Sequence, residues 1–411
     1  MVINHSVRLT AVLLMVACWS MGMGFGERFS IEGLLYLDKS PVSIEVVDGK
    51  ISQIIRKDSL DDPALENAYI APGLIDNQVN GYASVSFTSA DLTAELVGKA
   101  TRAQWKEGVT TYLPTVTTGP HETILKSFEA LAEARLDPEI SKSIPGFHLE
   151  GPYISPVDGY RGAHPSRWVR PPDWQEFLQY NKASGNRILQ VSLAPEVEGG
   201  MDFLRKCIAS GIRVALAHHN GSAETIRVAI DEGAVISTHL GNGCANTIHR
   251  HDNPLWPQLA DDRLMASIIV DGFHLRPEEV QVFFKVKGPG RIIATSDVTK
   301  FAGMPPGEYE VDGDKVVMTP EGMLKLPSQD VLYGASLPLR TAIGNLMRFT
   351  GCSLADAVHV MTRNPAQLYG LEDRGEIKTG KRADLIVFTF RKGRAEIMKT
   401  YLAGNVVYSA N

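Results

Sequence analysis

The chain is poor in cysteine: Cys18, Cys207, Cys244 and Cys352 are the four in 411 residues, widely spaced and without a CxxC pair. Such thiols are buried or reactive singles, and a disulfide framework is excluded. A long basic run is also missing, with 41 Lys and Arg against 47 Asp and Glu and a net charge of -6. That balance argues against a polyanionic partner such as nucleic acid. Internal repeats and low-complexity segments are absent as well. What the chain does have is bulk: at 44% hydrophobic and 21% charged it can bury a large core. Its length suits one large barrel plus a smaller domain, or two to three ordinary domains.

The N-terminus is set apart from the fold. Arg8 precedes the apolar stretch Leu9 to Cys18, which is too short to span a bilayer comfortably and is flanked like a signal peptide. Met15-Val16-Ala17-Cys18 resembles a bacterial lipoprotein cleavage box, which points to an exported, periplasmic or lipidated protein. The alternative is a cytoplasmic protein that starts at Met21 or Met23. Residues 1–26 are therefore taken as a signal-like segment outside the folded domains.

Short strands and turns occupy both ends of the remainder. Ile31 to Leu37, Val42 to Val47 and Ile51 to Ile55 flank an Asp48-Gly49 turn; Ala383 to Phe390, Ile397 to Tyr401 and Val406 to Tyr408 follow the same pattern. The two ends, 27–70 and 376–411, are expected to form one small β-sandwich domain. Between them, over 71–375, strands alternate with helices. The expected strands are Ala68 to Asn80, Val109 to Thr117, Ile144 to Pro152, Ile188 to Ala194, Arg213 to His219, Val235 to Leu240, Met265 to Asp271 and Arg291 to Asp297. Helical spacing appears in Asp91 to Lys106, His121 to Ala134, Asp173 to Ser184, Met201 to Ser210, Ala223 to Glu232 and Pro277 to Val286. Eight strands, several apolar throughout, predict an α/β fold: a (β/α)8 TIM barrel. Beyond the eighth strand come a hairpin turn at Val311 to Lys315 and helices over Ser336 to Arg348 and Leu354 to Thr362.

Four of these strands end on groups suited to chemistry. Gly146-Phe147-His148-Leu149-Glu150-Gly151-Pro152 stops on a carboxylate held by a rigid turn; Ala217-His218, Thr238-His239 and Ser296-Asp297 end the fifth, sixth and eighth strands. Strand ends of such a barrel converge on one mouth. Glu150, His218 and His239 make a donor set for a borderline divalent ion such as zinc, with a coordination position left for water. Asp297 has no partner cation in sequence, so it suits a general base that later protonates a leaving amine. Together these residues describe a metal-dependent hydrolase. Any one alone would be better read as a satisfied polar residue beside a loop. Cys244 follows the His239 strand and reads as a small loop residue. His219 faces away from its neighbour, and His121 and His359 lie on helices.

Ala71-Pro72-Gly73-Leu74-Ile75-Asp76 and the run from Gly375-Glu376-Ile377 to Leu385 resemble the amidohydrolase superfamily. Within it, His148-Leu149-Glu150-Gly151-Pro152, Thr238-His239-Leu240, Asp271-Gly272-Phe273-His274 and Ser296-Asp297 resemble the N-acetylglucosamine-6-phosphate deacetylase family. The resemblance implies that Glu150, His218 and His239 hold the metal and that Asp297 is the acid and base. It further implies that His274 contacts the substrate and polarises its acetyl carbonyl, and that His164, Asn242 and Gly243 contact the sugar. Arg250 would anchor the phosphate, reaching from a neighbouring subunit of a homodimer; its alternative is an ion pair with Asp252. Where many superfamily members carry His-x-His, this chain has Gln78 and Asn80, and neutral amides are weak zinc ligands. One divalent ion is therefore expected, zinc first, with iron or another divalent ion as the alternative.

The expected reaction is removal of the acetyl group from N-acetylglucosamine 6-phosphate. The rivals are an unphosphorylated or galacto-configured N-acetyl amino sugar, an N-acyl amino acid, or an inactive scaffold that binds a partner. Retention of Glu150, His218, His239 and Asp297 together argues against the scaffold.

Overall fold

The computed structural model describes residues 28–311, 313–328 and 331–410; the signal-like segment lies outside the described residues. Seven strands from the two chain ends form one sheet. Its order is Asn405–Ser409, Arg394–Leu402, Leu385–Arg391, Tyr69–Pro72, Arg28–Leu35, Pro41–Val47 and Lys50–Arg56. The ends of the chain meet at Tyr69–Pro72, which pairs parallel with Arg28–Leu35 and antiparallel with Leu385–Arg391. Val42, Ile44 and Val46 alternate along their strand and are all fully buried, so one face of the sheet supplies core. The Asp48-Gly49 turn takes φ of 51° and 73°, the left-handed pair that suits the twist of a two-residue hairpin.

At Gly73 the chain leaves this sheet and enters the barrel. The expected single strand from Ala68 to Asn80 is thus two strands, Tyr69–Pro72 and Leu74–Val79, in different sheets. A side chain at position 73 would put its Cβ 2.2 Å from Thr110 Oγ1, so the crossing requires glycine.

The barrel strands are Leu74–Val79, Val109–Thr117, Phe147–Glu150, Ile188–Leu193, Arg213–Leu216, Ile236–Ser237, Met265–Ile269 and Ile292–Thr295, all parallel and in sequence order. The first and last strands close at the mouth. Asp297 N donates to Gln78 O at 3.1 Å and Asn80 N to Val298 O at 2.8 Å. The buried Asp76 carboxylate ties the same seam, accepting from Thr295 Oγ1 at 2.8 Å and Ser296 N at 3.1 Å.

His121–Ala134 is helical with the expected bounds, and Asp173 caps Trp174–Ala183 by accepting from Gln175 and Glu176 amides. The short helices Pro138–Ser143, Leu255–Ala260 and Arg363–Tyr369 were not anticipated, being of six or seven residues with too few turns to show a period. The helix expected from Ser336 begins at Thr341. After the eighth strand, Gly307–Val311, Asp314–Met318, Leu324–Leu326 and Val331–Leu332 form an antiparallel sheet with its own apolar cluster around Phe301 and Val316. Its Val311, Val331 and Leu332 form part of the wall of the cavity at the barrel mouth.

Candidate active site

The mouth opens into a cavity of about 1240 Å³ that Glu150, His164, His218, His239, His274 and Asp297 help to line. Three of these residues sit in the left-handed region: His218 at φ 48°, His239 at φ 30° and Asp297 at φ 52°. Residues other than glycine rarely adopt that conformation, and each instance costs on the order of 1–3 kcal/mol. The kink turns each side chain inward just where its strand stops. Glu150 instead ends its strand directly, and Gly151 makes the turn at φ 68°, with Thr118 Oγ1 2.2 Å from where a Cβ would stand.

The donors converge on Glu150. Its Oε1 lies 3.1 Å from His239 Nε2 and 3.5 Å from His218 Nε2. His218 Nδ1 donates to the Tyr160 carbonyl at 2.9 Å, which fixes the tautomer and leaves the Nε2 lone pair for the centre. Burial pushes the Glu150 carboxyl up, but its contacts with the His218 and His239 rings outweigh it and hold it well below the usual range. Oxygen and imidazole donors of this kind fit a divalent ion. The ligand atoms of Glu150, His164 and His218 all lie within 4.8 Å of one another. Grouping by distance therefore admits His164, whereas strand-end position admits His239; Glu150 and His218 belong to both groups. His164 is fixed from behind, its Nδ1 2.7 Å from Thr118 Oγ1, and its Nε2 lies 3.2 Å from His218 Nε2.

Gln78 and Asn80 occupy this centre as hydrogen-bond donors. Gln78 Nε2 donates to Glu150 Oε1 and to Asp297 Oδ1, both at 2.9 Å, and Asn80 Nδ2 donates to Asp297 Oδ1 at 2.7 Å. Burial, then the nearby Glu150 charge, raise the Asp297 carboxyl above its ordinary range. A carboxyl so raised can take a proton and return it near neutral pH.

Beneath the mouth, His148 shares the inward face with Glu150. Its Nε2 accepts from Ser192 Oγ at 2.7 Å and Gln190 Nε2 at 3.1 Å, and burial pushes the ring down to about 4. Tyr369 OH in turn donates to Gln190 Oε1 at 2.5 Å. This polar floor was missed because His148 stands inside an apolar run and Tyr369 comes from a short helix.

Asn242 and Gly243 lie against the His218 turn. Asn242 Nδ2 is buried without a partner, and Gly243 approaches so closely that a Cβ would stand 3.0 Å from His218 N. His274 lies at the cavity with Nδ1 2.7 Å from Asp271 Oδ2, a contact the sequence reading did not include. Arg250 is exposed and does not line its own chain's cavity; among the described residues it forms no ion pair with Asp252. His219 is buried with Nδ1 accepting from Gly221 N; His121 meets Glu176 and Tyr180, and His359 meets Tyr36. Cys244 stands close enough to line the cavity.

A parallel barrel whose strand ends gather a carboxylate, imidazoles and a separate buried aspartate defines a metal-dependent hydrolase. The chain belongs to the amidohydrolase family, whose model matches residues 69–407. It is 28% identical over 375 residues to the N-acetylglucosamine-6-phosphate deacetylase of Bacillus subtilis, covering 89% of this chain and 92% of that one. It is 30% identical to the N-acetylgalactosamine-6-phosphate deacetylase of Escherichia coli O157:H7, covering 77% of this chain and 82% of the other. The crystal structure of the Thermotoga maritima N-acetylglucosamine-6-phosphate deacetylase superposes with a TM-score of 0.81 at 26% identity, covering 93% of this chain and 100% of that chain.

Proposed function

We propose that the protein removes the acetyl group of N-acetylglucosamine 6-phosphate, giving glucosamine 6-phosphate and acetate. The observation that carries this reading is the amide bridge of Gln78 between Glu150 and Asp297, which sets a proton-carrying carboxyl beside the donor cluster. The deacetylase relatives support the substrate class.

Glu150, His218 and His239 would hold one divalent ion, zinc by the borderline character of its imidazole donors. When bound, such an ion polarises a carbonyl and acidifies water. Asp297 takes the proton of the attacking water and passes it to the departing nitrogen. Gln78 and Asn80 keep its Oδ1 engaged, so the other oxygen carries the proton. His274 meets the acetamide oxygen, while His164, Asn242 and Gly243 hold the sugar. Because Gln78 and Asn80 are neutral amides, elemental analysis should give about one divalent ion per chain; two tightly held ions would refute the ligand assignment.

We also infer a homodimer in which Arg250 of one copy reaches the 6-phosphate bound by the other, consistent with its exposure away from its own cavity. The Escherichia coli relative supports a second reading, the galacto-configured 6-phosphate. The stretch Leu9 to Cys18 supports export, which would favour an unphosphorylated sugar because sugar phosphates are largely cytoplasmic. Acetate release from the gluco and galacto N-acetylhexosamines, each with and without the 6-phosphate, tests these readings together. The highest kcat/KM is expected for N-acetylglucosamine 6-phosphate; preference for a free sugar would overturn the phosphate assignment.

A further inference from the structure

Behind His274 stands a carboxylate that the reaction as described leaves without a role. Asp271 follows the seventh barrel strand, and the chain then turns through Gly272 at φ 89°. Asp271 Oδ1 accepts from Phe273 N at 2.8 Å and from His274 N at 3.0 Å, while Oδ2 lies 2.7 Å from His274 Nδ1. Both side chains are only 6% exposed. The turn itself is held from outside, since Asn345 Nδ2 donates to Val270 O at 2.8 Å. Side chain, turn and ring therefore form one rigid unit.

The protonation of the ring follows from these contacts. An ionised carboxylate only accepts hydrogen bonds, so Nδ1 carries a proton toward Oδ2. A neutral ring would then have a bare lone pair at Nε2, the nitrogen that no protein group engages among the described residues. A carbonyl oxygen is also only an acceptor. Nε2 can polarise it only if the ring carries a second proton.

We propose that Asp271 is a positioning residue that keeps His274 as an imidazolium, so that Nε2–H donates to the developing oxyanion of the substrate. This rests on the deacetylase reading for the acceptor oxygen and so for the second ring proton, but not for the Asp271 contact, which stands on geometry. The ring keeps both protons through the reaction, and Asp297 alone carries the transferred one. Several observations agree. Burial works to raise the Asp271 carboxyl, yet the His274 charge and the hydrogen bonds from the ring and the two amides outweigh it and leave the carboxyl below its ordinary range. Arg276, Glu278 and Glu279 border the same cavity from the start of the next helix, where Glu279 is taken up by the Arg276 amide at 2.7 Å. Among the described residues, Asp271 is thus the one carboxylate bonded to the ring.

Two-bond proton–nitrogen correlation of the histidine-labelled full-length protein at neutral pH tests this without turnover. The His274 signal is identified by its loss in His274→Gln. Both ring nitrogens should be protonated in the unaltered protein, and a bare Nε2 would overturn the proposal whatever the substrate is. Kinetics supply the second arm. Asp271→Asn should lower kcat on the N-acetyl substrate about 10- to 100-fold with KM little changed, as for loss of an oxyanion donor. The N-trifluoroacetyl analogue, whose carbonyl needs less polarisation, should lose clearly less, and Asp271→Glu should recover part of the rate. Equal losses on the two acyl groups would mean a merely structural role and would overturn the assignment.

Discussion

The sheet made by the chain ends and the mouth of the barrel treat left-handed backbone in opposite ways. In the sheet, positive φ at residues other than glycine occurs at Lys39, Asp48, Lys392 and Ala403, all in connections between strands. At the mouth it occurs at His218, His239 and Asp297, the residues the proposed reaction uses. The same division holds for hydrogen bonding. Among the described residues, buried side-chain atoms without partners include Asn80 Oδ1, His239 Nδ1 and Asn242 Nδ2 at the mouth, and none on the seven strands of the sheet. The sheet is built for stability; the mouth holds strained, incompletely paired groups in a fixed geometry, as preorganised sites do.

Substitutions should separate the two regions. Ile44→Ala, which empties a fully buried position in the sheet, should lower unfolding free energy by about 2–5 kcal/mol while turnover per folded molecule is retained. Denaturant melts alongside active-site titration would check this, and a kcat falling in step would erase the distinction. Asp297→Asn should do the reverse: kcat at least about 10²-fold lower, with the melting temperature held or raised, since a buried carboxyl beside Glu150 is removed. Arg250→Ala should cut kcat/KM on the phosphorylated sugar by about 10- to 150-fold and spare the free sugar, with lysine restoring only part. Equal loss on both sugars would return Arg250 to a structural role. The smallest effect belongs to the Lys392-Gly393 turn, both residues left-handed at φ 50° and 75°. Lys392→Asn should stabilise by up to about 1 kcal/mol in a thermal melt without altering activity.

Much of the barrel was legible because its strands are apolar runs that stop at polar residues, and a parallel barrel turns those stops into a single mouth. Glu150, His218, His239 and Asp297 could be gathered that way, although they are scattered from residue 150 to 297. Other features left no such mark. Ala68 to Asn80 reads as one run, and only the contact between Gly73 and Thr110 reveals two sheets. Asp271 looks like an ordinary turn residue until its carboxylate is seen against His274. Gln78 and Asn80 were legible as an absence of ligands, but their grip on Asp297 needed the barrel to be closed. The proposed phosphate contact is the least legible, since Arg250 does not line its own chain's cavity and distance along one chain cannot report a neighbour.

The strand Tyr69–Pro72 waits for Leu385–Arg391, which is made about 310 residues later. At the usual pace of synthesis, about 5–20 residues per second, its edge stays open for roughly 15–60 s. Throughout that interval the nascent chain presents the unpaired amides and carbonyls of Tyr69–Pro72, a template onto which another emerging chain could add. The strands from Leu385 onward therefore act as a late clasp, and a ribosome that stalls before Leu385 releases a product with that edge still uncovered.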